Sequence, residues 1–417
     1  MWERQMNGAH WKARFAAFWG AQAVSLFGSS LAQFALVWWL TEATQSATVL
    51  ALSTLAALLP GILIGPFAGV LVDRWDRKKI IALSDTVGAL VALALAILYL
   101  TQLIQPWLVV LAMFIRSLAG AFQQPAVQAT TALIVPQEEL SRVSGLNQML
   151  NGLMQIAAPP LGALLMTLVP LEAIMAMDVA TAAVAVGLVL VLDLPRLVAK
   201  HTESAASVLH DLGEGFRYIW GWPALLGILM VSALLNLLLT PAFSLLPIFV
   251  TNHMRGGAED LAWLNMAFGV GVVLGGLLLS VWGGFRRRIY TGALGVAGMG
   301  VAILALGLAP AGMLPLAIGA MLATGCMNAF SNGPIMAMLQ SLVAPEMQGR
   351  VFAVVTSVCM AMSPLGLLVG GPLADALGVS TLYLVGGAAC LIMGVVIALH
   401  PVLRAVEDGR QAAAQVA

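Results

Sequence analysis

Ala121-Phe122-Gln123-Gln124-Pro125, followed by Glu138 and by Arg142-Val143, returns later in the chain as Ala329-Phe330-Ser331-Asn332-Gly333-Pro334, followed by Glu346 and by Arg350-Val351. The offsets (330 − 122, 346 − 138, 350 − 142) are all 208, half of the 417 residues. Three matches in one register mark an internal duplication. Each copy lies in a long apolar stretch. Working outward from them, polar breaks leave six such stretches in the first half, at about 15–40, 47–72, 80–101, 106–130, 144–168 and 173–193. Six more follow at about 221–250, 260–283, 289–309, 313–341, 351–374 and 380–400. Each holds 20 or more residues, enough at about 1.5 Å rise per residue to cross a hydrocarbon core about 30 Å thick. The expected fold is therefore an all-α polytopic membrane protein with twelve transmembrane helices in two six-helix bundles. The boundaries read as a first bundle over 1–195, a cytoplasmic linker over 196–218, a second bundle over 219–400 and a tail over 401–417.

Composition agrees. Hydrophobic residues make up 61% of the chain and charged residues 9%, with a mean hydropathy of +0.97. Soluble domains carry about 25% charged residues, and so few charges could not cover this much apolar surface. Lys+Arg and Asp+Glu balance at 19 each, so a nucleic-acid partner has no electrostatic support. With the N-terminus inside, 17 of the 19 Lys and Arg fall in the termini or the even-numbered loops, Arg255 falls outside, and Arg116 sits within span four. The positive-inside rule then places both termini in the cytoplasm. Cys326, Cys359 and Cys390 lie in apolar runs without CxxC or Cys/His spacing, so they read as small buried hydrophobes. Neither a disulfide, a metal nor any cofactor is expected. The first apolar run is too long for a signal peptide and reads as the first helix.

The loop after span two reads Gly69-Val70-Leu71-Val72-Asp73-Arg74-Trp75-Asp76-Arg77-Lys78-Lys79. It resembles the loop signature of the major facilitator superfamily, GxxxD(R/K)xGRR, with Asp76 where the pattern has Gly. The resemblance implies that Gly69, Asp73, Arg74 and Arg77 form a latch at the cytoplasmic ends of the bundles. A plain positive-inside cluster would explain the basic residues but not Asp73. The related site in the second half keeps Trp282 and Arg286-Arg287-Arg288 but has Ser280 in place of the Asp. Gln22-Ala23-Val24-Ser25-Leu26, Phe114-Ile115-Arg116-Ser117, Val135-Pro136-Gln137-Glu138-Glu139-Leu140, Ala176-Met177-Asp178-Val179, Ala267-Phe268-Gly269 and Gly349-Arg350-Val351-Phe352 are similar to bacterial macrolide-efflux (Mef-type) transporters. Two six-helix halves also match the architecture of secondary transporters, which bind substrate near the membrane midplane.

Intramembrane charge is expensive, so Arg116 in span four needs a partner or a water-filled cavity. The resemblance implies that it assists proton transfer; a structural arginine bonded to carbonyls is the other reading. Asp178 in span six is either a proton carrier or a packing residue fixed by hydrogen bonds. Glu42, at the outer end of span one, is either a further carrier or a solvated loop residue. Asp85 and Asp375 read as lying near cytoplasmic ends. Uncharged polar residues recur on single helical faces: Gln22, Ser25, Ser29 and Gln33 in span one, Asn147, Asn151 and Gln155 in span five, and Asn328 and Asn332 in span ten. With Asn236 and Asn265 they are expected to face a cavity or a neighbouring helix. Phe243, Met266, Phe330 and Met360 supply adaptable apolar contacts for a bulky ligand, although methionine in a lipid-facing protein is often mere filling. Pro159-Pro160-Leu161-Gly162 echoes Pro364-Leu365-Gly366 and loosely matches an antiporter signature of the superfamily.

The resemblance therefore implies a secondary active transporter. It would export a bulky, macrolide-like amphiphile by proton antiport, in a bacterial-type inner membrane, as a monomer among lipids. Export of a siderophore or lipid-like metabolite, or lipid flipping on the same scaffold, is the alternative. No GxSxG, HExxH or Walker-type GxxxxGK[ST] occurs in the chain, which argues against an enzyme and against driving by ATP.

Overall fold

The structure, a computed structural model, describes residues 10–192 and 205–404. Among them there is no strand, and twelve helices are long and apolar enough to span a bilayer. In the first half these are α1 (His10–Thr44), α2 (Ala47–Arg74), α3 (Arg77–Leu100), α4 (Pro106–Ile134), α5 (Leu140–Leu168) and α6 (Leu171–Val191). A non-spanning helix, α7 (Ala205–Trp220), leads into the second half. There the spans are α8 (Pro223–Ser244), α10 (Ala258–Trp282), α11 (Arg288–Gly307), α12 (Leu314–Leu342), α13 (Pro345–Leu377) and α14 (Ser380–Leu399), with short helices α9 (Leu246–Ile248) and α15 (Pro401–Arg404) beside them. The described residues of α1–α6 form one compact unit and those of α7–α15 a second. Thr44–Leu52, the α1–α2 turn and the start of α2, groups with the second unit.

The duplication extends to packing. In the first unit α3 packs on α4 and α6; in the second, α11 packs on α12 and α14, the same positions within each six. Trp75 stacks on Phe122 with ring centroids 6.4 Å apart and planes at 25°, and Trp282 stacks on Phe330 at 5.8 Å and 27°. Arg77 Nη1 donates to the Ala129 carbonyl at 3.4 Å, and Arg288 Nη1 to the Ala337 carbonyl at 3.1 Å. These carbonyls, again 208 apart (337 − 129), lie toward the C-terminal ends of α4 and α12, where the helix dipole favours a cation. The second half thus keeps the aromatic stack and the basic cap although Ser280 replaces the aspartate.

Small residues let these helices approach in a lipid environment, where there is no hydrophobic drive to hold them together. Gly271 and Gly275 of α10 lie against the main chain of Leu322 and Cys326 in α12, leaving no room for a β-carbon. Asp76, the departure from the loop signature, is the N-cap of α3 and accepts from the Lys78 N–H at 3.1 Å. An Asp satisfies an otherwise unpaired donor there, which a Gly would not.

Three expectations need correction. The seventh span does not run unbroken to residue 250: α8 ends at Ser244, and α9 is followed by a π-helical turn, Phe249–Met254. Pro241 and Pro247 each lack the N–H that a continuous α-helix would use. The described part of the linker forms the amphipathic helix α7. Its Ile219 is buried with Leu339, Val351 and Val354, and its Glu214 pairs with Arg350 at 2.6 Å. Of the cysteines only Cys390 is buried, whereas Cys326 and Cys359 are partly exposed; an apolar side chain facing lipid need not be covered by protein. Finally, Asp375 is not on the end that carries Arg77. It lies in the last turn of α13, against the α1–α2 turn, with Oδ1 accepting from the Ala47 N–H at 2.7 Å and Oδ2 from the Thr48 N–H at 2.9 Å and Ser46 Oγ at 3.1 Å.

Candidate functional site

In the first unit, α1 carries a polar face into the apolar bundle and binds two carboxylates with it. Ser29 Oγ donates to Asp178 Oδ1 at 2.9 Å. Arg116 Nη1 reaches Asp178 Oδ2 at 2.6 Å and the Gly88 carbonyl at 3.4 Å. The two side chains are 14% and 2% exposed, so Arg116 and Asp178 satisfy each other away from water. Near Ser29 on the same helix, Ser25 Oγ donates to Asp85 Oδ1 at 2.9 Å, and Gln123 Nε2 of α4 donates to the same oxygen at 2.9 Å. Gln22 Nε2 approaches Asp85 Oδ2 at 3.4 Å, while Gln22 Oε1 accepts from Gln123 Nε2 at 3.3 Å. Asp85 itself is 6% exposed.

Gln22, Ser25 and Ser29 thus face neighbouring helices through these acids, and Gln33 is half-buried. On α5, Asn147 accepts from Trp19 Nε1 at 2.8 Å, whereas Asn151 and Gln155 are exposed. Glu42 is exposed in the last turn of α1. The backbone of Gly69, Asp73 and Arg74 belongs to α2, and the side chains of Asp73 and Arg74 lie outside the described residues.

The second unit holds a cavity of about 430 Å³, within the range of about 300–1,000 Å³ usual for ligand pockets. Asn236, Phe243, Asn328 and Asn332 are on its wall. Phe268 stands against Phe243 with ring centroids 5.6 Å apart, and both rings are on the wall. Asn236 Nδ2 donates to the Ser232 carbonyl at 2.9 Å and Asn332 Nδ2 to the Asn328 carbonyl at 3.2 Å. These amides are satisfied by their own helices and can trade that bond for one to a ligand. Asn265 bonds the Leu261 carbonyl within α10. Neither Asn265, Met266 nor Met360 is on the cavity wall, and Met360 is exposed. A mostly apolar wall with a few amides and hydroxyls suits a large amphiphile.

Sequence reasoning missed the Asp85 cluster as a unit. Gln123 was in view only as part of the repeat, although a carboxylate and a glutamine on neighbouring spans are a usable signal. Ser232, Thr240 and Phe268 on the cavity wall carried no spacing pattern that would have singled them out.

The family profile described as transmembrane secretion effector matches residues 10–416. Macrolide efflux protein A of Streptococcus pyogenes is 32% identical over 387 residues, 93% of this chain and 96% of its own. Multidrug efflux pump Tap of Mycolicibacterium fortuitum is 28% identical over 392 residues, 90% of this chain and 93% of its own. Among solved structures, a bacterial homologue of the iron transporter ferroportin in an inward-facing state superposes with a TM-score of 0.69 at 13% identity, covering 93% of this chain and 98% of that one. The nucleoside transporter NupG, as its D323A mutant, gives 0.68 at 15% identity, with 92% and 99% coverage.

Proposed function

The chain belongs to the transmembrane secretion effector family of the major facilitator superfamily, and we propose that it exports a bulky amphiphilic compound of macrolide type by proton antiport. The protein is a multi-pass membrane efflux transporter, not an enzyme. The observation that carries the substrate class is 32% identity to macrolide efflux protein A over 93% of the chain. The cavity in the second unit supports it, because aromatic rings and satisfied amides accept a large ring that is apolar with scattered oxygens. Export against a gradient needs an energy source. With no Walker motif in the chain, the inward proton gradient supplies it through intramembrane acids, the one class of group in the first unit's polar core that gains and loses protons. In this reading the protein works as a monomer by alternating access. Both termini are cytoplasmic, and Gly69, Asp73, Arg74 and Arg77 close the cytoplasmic side.

The test is a susceptibility panel in an efflux-deficient bacterial host expressing the protein, with macrolides, siderophores and unrelated drugs. Raised tolerance to macrolides that collapses on adding an uncoupler is the expected result. Tolerance or secretion confined to siderophores replaces the substrate class. Lipid movement unaffected by uncoupler makes the protein a flippase on this scaffold.

A further inference from the structure

The polar core of the first unit does not balance in charge. Among the described residues it contains two buried carboxylates, Asp85 and Asp178, and one cation, Arg116. Arg116 is committed to Asp178 at 2.6 Å. Of the charged groups on the helices packed on α3, Asp178 of α6, itself negative, acts on Asp85, while the described bonds of Arg116 of α4 go to Asp178 and Gly88. From α1 and α4 it receives only neutral donors: Ser25, Gln22 and Gln123. Three ionised groups would leave one net negative charge in a low-dielectric region, and one proton removes it.

We propose that Asp85 is the carboxyl that takes up and releases the exchanged proton, while Arg116 and Asp178 remain a fixed pair. This rests on the antiport reading above and assigns its proton to a group other than Asp178. The two oxygens of Asp85 are unequal. Oδ1 is occupied by Ser25 and Gln123, each at 2.9 Å, whereas Oδ2 has only the Gln22 amide at 3.4 Å. A proton from water therefore forms its O–H bond at Oδ2. A half-turn of the Gln22 amide, nearly isosteric in its two orientations, then presents Oε1 to accept from that O–H; it gives up the 3.3 Å bond from Gln123 Nε2, which turns away and keeps its bond to Asp85 Oδ1. Release returns the proton to water and the amide to its donating orientation. Gln22 and Gln123 are only half-buried, so the carboxyl lies one side chain from the bundle surface. The coupling element is α1: Ser25 holds the exchanging acid and Ser29 the fixed one, about 6 Å apart at 1.5 Å rise per residue. A shift of α1 alters both bonds together.

The test is an infrared titration of the full-length protein in lipid bilayers, following the C=O stretch of protonated carboxylic acid as pH falls. The unmutated protein shows a band from a shielded carboxyl. Asp85→Asn loses it, and the paired neutralisation Arg116→Gln/Asp178→Asn keeps it. A band that survives in Asp85→Asn, or that disappears only in the paired variant, overturns the proposal. If Asp85→Asn fails to accumulate, Asp85→Glu carries the test: its band shifts if the proposal holds and stays unmoved if it does not. Efflux of erythromycin from cells separates the two readings. Uncoupler-sensitive efflux by the unmutated protein with loss of uphill export in Asp85→Asn supports both. Uphill export retained in Asp85→Asn overturns Asp85 as the carrier while antiport stands. Uncoupler-insensitive erythromycin efflux by the unmutated protein overturns antiport, and Asp85 is then a titrating group without a transport role.

Discussion

Asp178 and Arg116 form a close pair inside the first unit. A guanidinium 2.6 Å from a carboxylate, with both side chains largely buried, makes each group costly to remove alone, because the survivor keeps its charge without a partner. Asp178→Asn and Arg116→Gln are each expected to destabilise the fold by about 3–5 kcal/mol, the usual cost of breaking a buried pair. The double variant should lose much less than the sum. Thermal unfolding of the four proteins in detergent checks this as a double-mutant cycle; additive losses would mean that the pair contributes nothing as a pair. Arg350 and Glu214 are also 2.6 Å apart but 38% and 33% exposed. Solvent screens that pair, and its removal is expected to cost well under about 1 kcal/mol.

At the scale of elements, two contacts yield sharp contrasts. Gly275 and Gly276 are neighbours on α10, yet a β-carbon on Gly275 meets the Cys326 main chain of α12 while one on Gly276 meets nothing within 4 Å. Gly275→Leu should therefore force α10 and α12 apart, at about 1–3 kcal/mol or more for overpacking, and Gly276→Leu should be tolerated. Detergent stability by size-exclusion chromatography distinguishes them, and equal behaviour would count against this helix interface. Asp375 satisfies the free N–H groups of Ala47 and Thr48 at the start of α2, as an N-cap residue does, although it comes from α13. Asp375→Ala should cost about 0.5–2 kcal/mol, toward the lower end because the side chain is exposed. Hydrogen exchange should report it as lost amide protection at 47–50 with the rest of α2 unchanged.

For the whole molecule, the topology and the latch remain to be tested in cells. Cysteines replacing Arg77 and Arg288 should both react only from the cytoplasmic side, and one replacing Gln45 only from outside. Arg77 and Arg288 on opposite sides would refute the twelve-span topology. Asp73→Asn should reduce transport severalfold while membrane insertion stays normal; full transport in that variant would remove Asp73 from the latch.

Span number, the two sixes and the duplication were legible in the sequence because each depends on one-dimensional quantities: apolar length, charge placement and a fixed offset. Phe330 lies in that register with Phe122, whereas its stacking partner Trp282 lies 207 residues after Trp75 (282 − 75), one position out of it. Side-chain partnership is a different kind of quantity. Asn147, Asn151 and Gln155 share one face of α5, yet only Asn147 among them meets a partner in another helix, since periodicity defines a face and not what it faces. Ser25 and Ser29 look alike in sequence, one turn apart on α1, and the tertiary structure sends one to α3 and the other to α6. Which of two buried acids receives the one arginine depends on the rotation of four helices about their own axes. That rotation is set by packing between residues 60 to 149 positions apart, which only the folded chain decides.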